Sequence, residues 1–223
     1  MKTILCYGDS ITWGYIPGTA ARYPLQLRWP SVLQATLGTD YHVIAEGLTG
    51  RYTVHEDPFR VGRNGAALLQ PILETHAPID LLILFLGTND VLHNPELTAY
   101  DAAQGVACLT HIAQRSQTGP AGAAPKIMII SPPRIHTLSH ELLQQCHGDI
   151  TQSESFDKHF RAVATQHQCA FLDAAACVEP SPLDGVHLDE HAQAALGSAI
   201  ANRVGSIFTT DAANETHSIY GNP

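Results

Sequence analysis

The chain has 223 residues, of which 44% are hydrophobic and 15% charged, with 12 Lys and Arg against 21 Asp and Glu. That length and apolar content suit one globular domain able to bury a core without disulfide or metal staples. A net charge of −9, spread along the chain with no basic cluster, argues against nucleic acid or an anionic membrane surface as a partner.

Thr3 to Tyr7 is a short apolar run that stops at Gly8-Asp9-Ser10 and reads as a buried strand. It is too short for the core of a signal peptide, and no later stretch approaches a bilayer span. Residues 17–30 hold three prolines and no clear periodicity. A helix is predicted from Trp29-Pro30, with Pro in its first turn, to Gly38. Tyr41 to Ala45 reads as the second strand, ended by Gly47. Leu68 to His76 reads as a helix with Pro71 at its start or at a kink. Leu81 to Leu86 is a continuous apolar run, the pattern of a central strand covered on both faces. A helix over 98–115 places Ala102, Val106, Leu109 and Ile112 on one side.

Lys126 to Ile130 is the fourth predicted strand, closed by Ser131-Pro132-Pro133. Phe156, Phe160, Val163, Ala164 and His167 form a helical stripe. Ala170 to Leu172 is the fifth strand. Ala192, Ala195, Leu196, Ala199 and Ile200 mark a last amphipathic helix with Asp189 as its N-cap. Residues 209–223 are polar and aperiodic, so the folded domain is expected over 1–207 and a polar tail over 208–223. The five cysteines, Cys6, Cys108, Cys146, Cys169 and Cys177, are odd in number and lack C-x-x-C spacing. Buried thiols in a reducing compartment, and hence a cytoplasmic location, are expected.

Alternation of strands and helices argues for an α/β fold, a parallel sheet with helices on both faces. Ligands of such sheets sit beyond the carboxyl ends of the strands. After strand one come Gly8-Asp9-Ser10, after strand two Glu46-Gly47-Leu48-Thr49-Gly50-Arg51, after strand three Gly87-Thr88-Asn89-Asp90, and after strand five Asp184-Gly185-Val186-His187. Together they supply the parts of a serine acyl-transfer site. A serine hydroxyl needs a base, and the His187 imidazole can be that base. Asp184, three residues earlier, is placed to accept from one ring nitrogen. Ser10 N–H, Gly50 N–H and the Asn89 amide are candidate oxyanion donors, provided strand one lies between strands two and three.

Singly, each motif has an ordinary structural meaning. Gly-Asp-Ser, Gly-Thr-Asn-Asp and Asp-Gly are all turn sequences, and His187 is one of 13 histidines. Their order and their placement after strands point to chemistry. Asp9, Thr88 and Asp90 read as loop-holding residues, and Phe156 with Phe160 as core. In a 2-1-3-4-5 strand order, strand five stands roughly 14 Å from strand one. Residues 173–183 would have to carry Asp184 and His187 back across, and a segment of that length can reach.

At these residues the chain resembles the SGNH, or GDSL, hydrolases: Gly8-Asp9-Ser10 is similar to their first block, Gly50 to the second, Gly87-x-Asn89-Asp90 to the third and Asp184-x-x-His187 to the fifth. Longer segments, Ile4 through Gly14, Arg28-Trp29, Glu46-Gly47-Leu48 and Ser131-Pro132-Pro133, resemble the arylesterase/acyltransferase branch, which includes perhydrolases. The resemblance implies a three-layer α/β/α sandwich with a five-stranded parallel sheet, flavodoxin-like, over a catalytic domain at 1–207. It implies Ser10 as nucleophile, His187 as base, Asp184 as orienting acid, an oxyanion hole of Ser10, Gly50 and Asn89, no cofactor, and a homo-oligomer. Where the wider family commonly carries Asn three residues before the oxyanion Gly, this chain has Gly47.

Ile11, Trp13, Tyr15, Ile16 and Pro17 follow Ser10, and Pro132, Pro133 and Val186 are expected to face them from other strand ends. Ile11, Trp13, Tyr15, Pro132 and Val186 are therefore the expected substrate-binding residues, making a narrow dry mouth that favours short acyl chains and acyl transfer to small alcohols or peroxide. Two other functions compete. A metal-dependent hydrolase would use His187 and His191 at i, i+4 with Asp184 or Asp189, but would leave Ser10 and Asn89 idle. A binding module on the same fold would have no need of a complete triad.

Overall fold

The computed structural model describes residues 1–219. Its five strands are β1 (Lys2–Gly8), β2 (Tyr41–Gly47), β3 (Leu81–Phe85), β4 (Lys126–Ser131) and β5 (Ala170–Asp173). The helices are α1 (Ser10–Trp13), α2 (Trp29–Leu37), α3 (Gly65–His76), α4 (Thr88–His93), α5 (Ala99–Arg115), α6 (His140–Gln145), α7 (Phe156–Gln166) and α8 (Glu190–Ile219). Every strand pair is parallel, in the order β2-β1-β3-β4-β5, so β1 does lie between β2 and β3.

Side-chain alternation along the strands creates the three layers. Leu5 and Tyr7 of β1, Leu82 and Leu84 of β3, and Ile127 and Ile129 of β4 face one side, where Leu69 and Leu73 of α3, Val106 and Leu109 of α5, and Phe156 and Phe160 of α7 cover them. Ile4, Cys6, Leu81, Ile83, Met128 and Ile130 face the other, against Trp29 and Leu33 of α2 and Leu196, Ile200 and Val204 of α8. Two covered faces explain why the central strands read as unbroken apolar runs. At about 1.5–3 kcal/mol for each fully buried aliphatic or aromatic side chain, these two cores dominate the folding free energy.

Helix ends follow their capping residues. Asn64 accepts from Ala66 and Ala67 N–H, so α3 begins at Gly65 rather than Leu68, with Pro71 inside it. Thr98 and Asp101 close a capping box on α5. Asp189 Oδ1 accepts from Ala192 N–H at 2.8 Å at the head of α8. His167 stands past the end of α7, as its C-cap, rather than on its buried stripe.

The last helix continues to Ile219, because no Gly or Pro interrupts residues 206–219. Phe208 lies 6.0 Å from the Tyr41 ring, with the Lys2 ammonium 4.5 Å from its own ring, so packing continues one residue past the expected boundary at 207. Residues 220–223 of that expectation lie outside the described residues. Among the described residues no helix is long and apolar enough to cross a membrane.

Candidate active site

The carboxyl end of β1 turns at once into α1. Asp9 is nearly fully buried and caps that turn, its Oδ1 accepting from Ile11 N–H at 2.9 Å, which leaves Ser10 as the first helical residue. Residues 10–13 are therefore a helical turn where a loop was expected. Gln193 of α8, fully buried, accepts from Trp29 N–H at 2.9 Å and donates to Ile11 O at 3.3 Å, tying α1 to α2 and α8. The backbone of α1 runs directly over the end of β2: a Cβ on Gly47 would lie 2.2 Å from Trp13 N. That approach gives a steric reason for glycine at this position.

From β5 the chain returns through a short 3-10 turn at Ala174–Ala176 and across the end of β4. His136 N–H donates to Gly185 O (2.8 Å), Ser139 N–H to Asp184 O (3.3 Å) and Ser181 N–H to His187 O (2.8 Å). These bonds deliver Asp184 and His187 to Ser10, closing the gap of three strands. His187 Nε2 lies 2.9 Å from Ser10 Oγ, and His187 Nδ1 lies 2.8 Å from Asp184 Oδ2. Asp184 Oδ1 accepts from the N–H groups of Val186 (3.0 Å) and His187 (2.9 Å), and Oδ2 also accepts from Gly18 N–H at 3.1 Å.

Burial works to raise the Asp184 pKa, but the His187 hydrogen bond and charge and the two backbone N–H groups outweigh it and hold the carboxyl at about 2. An ionised carboxylate only accepts, so Nδ1 carries the proton and Nε2 is left to accept from Ser10 Oγ–H. The Tyr15 ring lies on the imidazole face, with centroids 4.2 Å apart and planes at 26°.

On the other flank, Asn89 sits in the first turn of α4, and its Nδ2 donates to Arg51 O at 3.0 Å and lies 3.5 Å from Asp9 Oδ2. Gly50 precedes Arg51 with φ +72°, a left-handed conformation that favours glycine. The guanidinium of Arg60 fills the space a Cβ there would need. Arg51 is 3% exposed, and its Nη1 donates to Gly8 O at 2.8 Å and to Glu46 O, while its guanidinium lies 4.0 Å from the Tyr7 ring centroid. Asp90 is fully buried and accepts from Thr53 Oγ1 at 2.5 Å and Thr53 N–H at 3.1 Å. Burial pushes the carboxyls of Asp9 and Asp90 up to about 6 and about 7. Both serve as acceptors for loop backbone, the structural part read for them in the sequence.

Ser10, His187 and Asp184 thus stand in one hydrogen-bonded chain, with Gly50 and Asn89 on the adjoining strand ends. The expected substrate-binding set is corrected. Ile11 is 1% exposed and packs in the core under α1, because the helical turn aims it at the sheet. Val186 is 2% exposed and packs in the opposite core layer. Pro132 is buried at the end of β4. Trp13 and Tyr15 keep partial exposure beside the site. The neighbouring cleft, about 320 Å³, is lined by Tyr15, Gly18, Ser139, Glu141, Gln145 and Asp184 among others; it is a mixed polar lining, not a dry one.

The competing metal set does not assemble. His187 precedes α8, so no helical turn relates it to His191, which is exposed while His187 is buried. Among the described residues no group of three or more His, Cys, Asp or Glu side chains converges. Three participants went unread in the sequence. Arg51 has no role in the motif reading, although a basic residue beside two strand-end glycines is a usable signal. Thr53 carries none, and a backbone N–H such as that of Gly18 leaves no trace in composition or periodicity.

Residues 6–195 match the model of the GDSL-like lipase/acylhydrolase family. No curated protein matches the chain. Among solved structures, the native aryl esterase of M. smegmatis is 35% identical with TM-score 0.87, covering 92% of this chain and 99% of its own. Est24, a carbohydrate acetylesterase from Sinorhizobium meliloti, is 33% identical with TM-score 0.88, covering 93% and 100%. A carbohydrate acetylesterase family member from the same species is 40% identical with TM-score 0.86, covering 92% and 97%.

Proposed function

Since this chain belongs to the GDSL-like lipase/acylhydrolase family, we propose that it is a serine esterase of short-chain carboxylic esters, working through an acyl-enzyme on Ser10. The observation that carries the reading is the relay from Ser10 Oγ through His187 to Asp184, with bonds of 2.9 and 2.8 Å. In this mechanism Nε2 takes the Ser10 proton as Oγ attacks the ester carbonyl, and Asp184 stabilises the imidazolium that forms. The oxyanion is met by Ser10 N–H, Gly50 N–H and the Asn89 amide. The Asn89 bond to Arg51 O fixes the amide plane, and the second N–H, held only by a long 3.5 Å contact to Asp9 Oδ2, is the one open to the developing charge. His187 then protonates the leaving alcohol, and water or another acceptor releases the acyl group.

An aryl or small alkyl ester fits beside the partly exposed Trp13 ring, next to the Tyr15–His187 stack. The polar cleft beside them supports hydrophilic alcohols as leaving groups and as acyl acceptors, and the acyltransferase or perhydrolase branch of this reading rests there. The deciding experiment is hydrolysis of p-nitrophenyl esters of graded chain length, with and without a serine-directed organophosphonate. Expected are fastest turnover on the shortest acyl chains and complete loss on modification of Ser10. Undiminished activity in a protein with phosphonylated Ser10 would overturn the assignment.

A further inference from the structure

Residues 15–22 form a hairpin that comes from a part of the chain far from Asp184 and His187, yet touches both. Tyr15 and Arg22 form an antiparallel bridge, and Ile16 N–H donates to Ala21 O at 3.1 Å. Tyr23 N–H donates to Gly14 O at 2.8 Å, and Arg22 Nε to Trp13 O at 2.7 Å. The Arg22 guanidinium also lies 4.7 Å from the Trp13 ring. The hairpin is thus fastened to α1, the helix that carries Ser10.

Two contacts run from it into the relay. The Tyr15 ring stacks on His187 at 4.2 Å. Gly18 N–H donates at 3.1 Å to Asp184 Oδ2, the same oxygen that accepts from His187 Nδ1.

The physical need for both is specific. The imidazole turns freely only about its Cβ–Cγ bond, and at rest the hydrogen bonds at Nδ1 and Nε2 limit that rotation. A flat surface against one face limits it further. The need grows once Nε2 has taken the proton, because the ring must then redirect it from Ser10 to the leaving alcohol while rotation about Cβ–Cγ is limited only by the Asp184 bond and by what touches its face. The electron-rich face of a phenol ring also attracts the imidazolium formed at that moment. Gly18 acts one step further out: with Oδ1 fixed by Val186 and His187 N–H, its own N–H fixes Oδ2 and stops the carboxylate turning.

We propose that the 15–22 hairpin is a positioning element of the catalytic apparatus, Tyr15 setting the plane of the His187 imidazole and the Gly18 N–H setting the Asp184 carboxylate. The proposal rests on the serine-esterase reading of the site. It is tested with Tyr15→Leu, Tyr15→Phe and Tyr15→Met, measuring kcat and KM on a short-chain p-nitrophenyl ester and the solvent exchange of the far-downfield His187 Nδ1 proton by NMR. Tyr15→Leu should lower kcat about 10- to 100-fold with little change in KM, and should broaden the Nδ1 resonance.

Tyr15→Phe, which keeps the flat face, should restore both readouts. Tyr15→Met, similar in bulk but not planar, should behave like leucine, and it answers the question should the leucine variant not fold. A sharp Nδ1 resonance with wild-type kcat in the leucine or methionine variant overturns the proposal. So does a change confined to KM, which makes Tyr15 a substrate contact, or an equal loss in Tyr15→Phe, which makes the hydroxyl the acting group. If the wild-type protein hydrolyses no ester, the esterase reading fails instead, and the NMR comparison still reads the positioning of the ring.

Discussion

Replacing Asp184 by Asn should be more damaging than replacing it by Ala. Asp184 accepts four hydrogen bonds: Val186 and His187 N–H on Oδ1, and Gly18 N–H and His187 Nδ1–H on Oδ2. In Asp184→Asn one of these oxygens becomes an NH2 donor. If the amide nitrogen takes the Oδ1 position it opposes two backbone donors, neither of which can shed its proton. If it takes the Oδ2 position it opposes only Gly18 N–H, because His187 can shift its proton from Nδ1 to Nε2. The second arrangement leaves one buried donor facing another instead of two, a saving of about 1–3 kcal/mol, so it prevails. It locks the histidine in the tautomer with Nε2 protonated, which cannot accept the Ser10 proton.

The resulting loss in kcat is on the order of 10⁴, about 5 kcal/mol of transition-state stabilisation. In Asp184→Ala no amide donor enforces the wrong tautomer. His187 is less well held, but a fraction of molecules retains a competent Nε2, so more activity survives than in the Asn variant. The assay is initial-rate hydrolysis of p-nitrophenyl acetate at neutral pH by wild type and both variants, each checked for folding by thermal unfolding. A folded Asp184→Asn protein with more than a tenth of wild-type kcat, or one clearly faster than Asp184→Ala, would refute this account of the hydrogen bonds.

Ser10→Ala should reduce kcat by on the order of 10⁶ with the fold intact, and single-turnover burst kinetics on wild type should show the acyl-enzyme that the variant lacks. Asn89→Ala should lower kcat by roughly 10²–10³ with a smaller effect on KM; a change in KM alone assigns the amide to ground-state binding. Asp90, whose pKa rises from 3.8 to about 7 through burial, favours its protonated form in the folded state. Its contribution to stability is therefore present below the unfolded pKa and lost as pH rises through about 7, by up to about 4 kcal/mol. Asp90→Asn keeps one acceptor oxygen for Thr53 and should flatten denaturant-measured stability across that window, whereas an unchanged pH slope argues against the shift. With a few per cent of a primary alcohol present, transfer product should exceed the alcohol-to-water mole ratio; product at or below that ratio describes a plain hydrolase.

The parts of this molecule legible in the sequence were those written in periodicity and punctuation. Unbroken runs such as Leu81–Leu86 announced covered strands, and Gly38 and Gly47 marked ends. Ser10, Asn89, Asp184 and His187 were legible because each follows a strand, and parallel strands deliver their carboxyl ends to one edge. What stayed hidden was short or locally ambiguous. Ser10–Trp13 and Thr88–His93 span too few residues to establish a helical period, so their side-chain directions could not be read. Ile11 consequently passed for a mouth residue, although a single helical turn rotates it into the core. The run from 206 to 219 is polar and lacks an apolar stripe, yet helix needs only the absence of breakers once a docked segment such as 190–205 has nucleated it.

The topology also explains why chemistry collects at β1 and not elsewhere on the sheet edge. The connection from β1 to β2 passes through α2 on one face, and that from β2 to β3 through α3 on the other. The chain therefore leaves the carboxyl ends of β1 and its neighbours in opposite directions and opens a crevice between them. On the β2 side Gly47 lets the α1 backbone pass over the strand end and Gly50 makes a left-handed turn against the Arg60 guanidinium, and α4 raises Asn89 on the β3 side. Ser10 stands between them on α1, whose position is fixed from below by Gln193 and from above by the Asp9 cap. Only the base and its acid must be imported, and the segment after β5 brings both on a single tight turn in which Asp184 holds the backbone of His187 as well as its ring. Mutual orientation of acid and base is thus local, whereas their distance from Ser10 depends on long-range contacts across β4. Substitutions in the crossing segment 174–183 should accordingly alter the Ser10–His187 distance while leaving the Asp184–His187 bond intact.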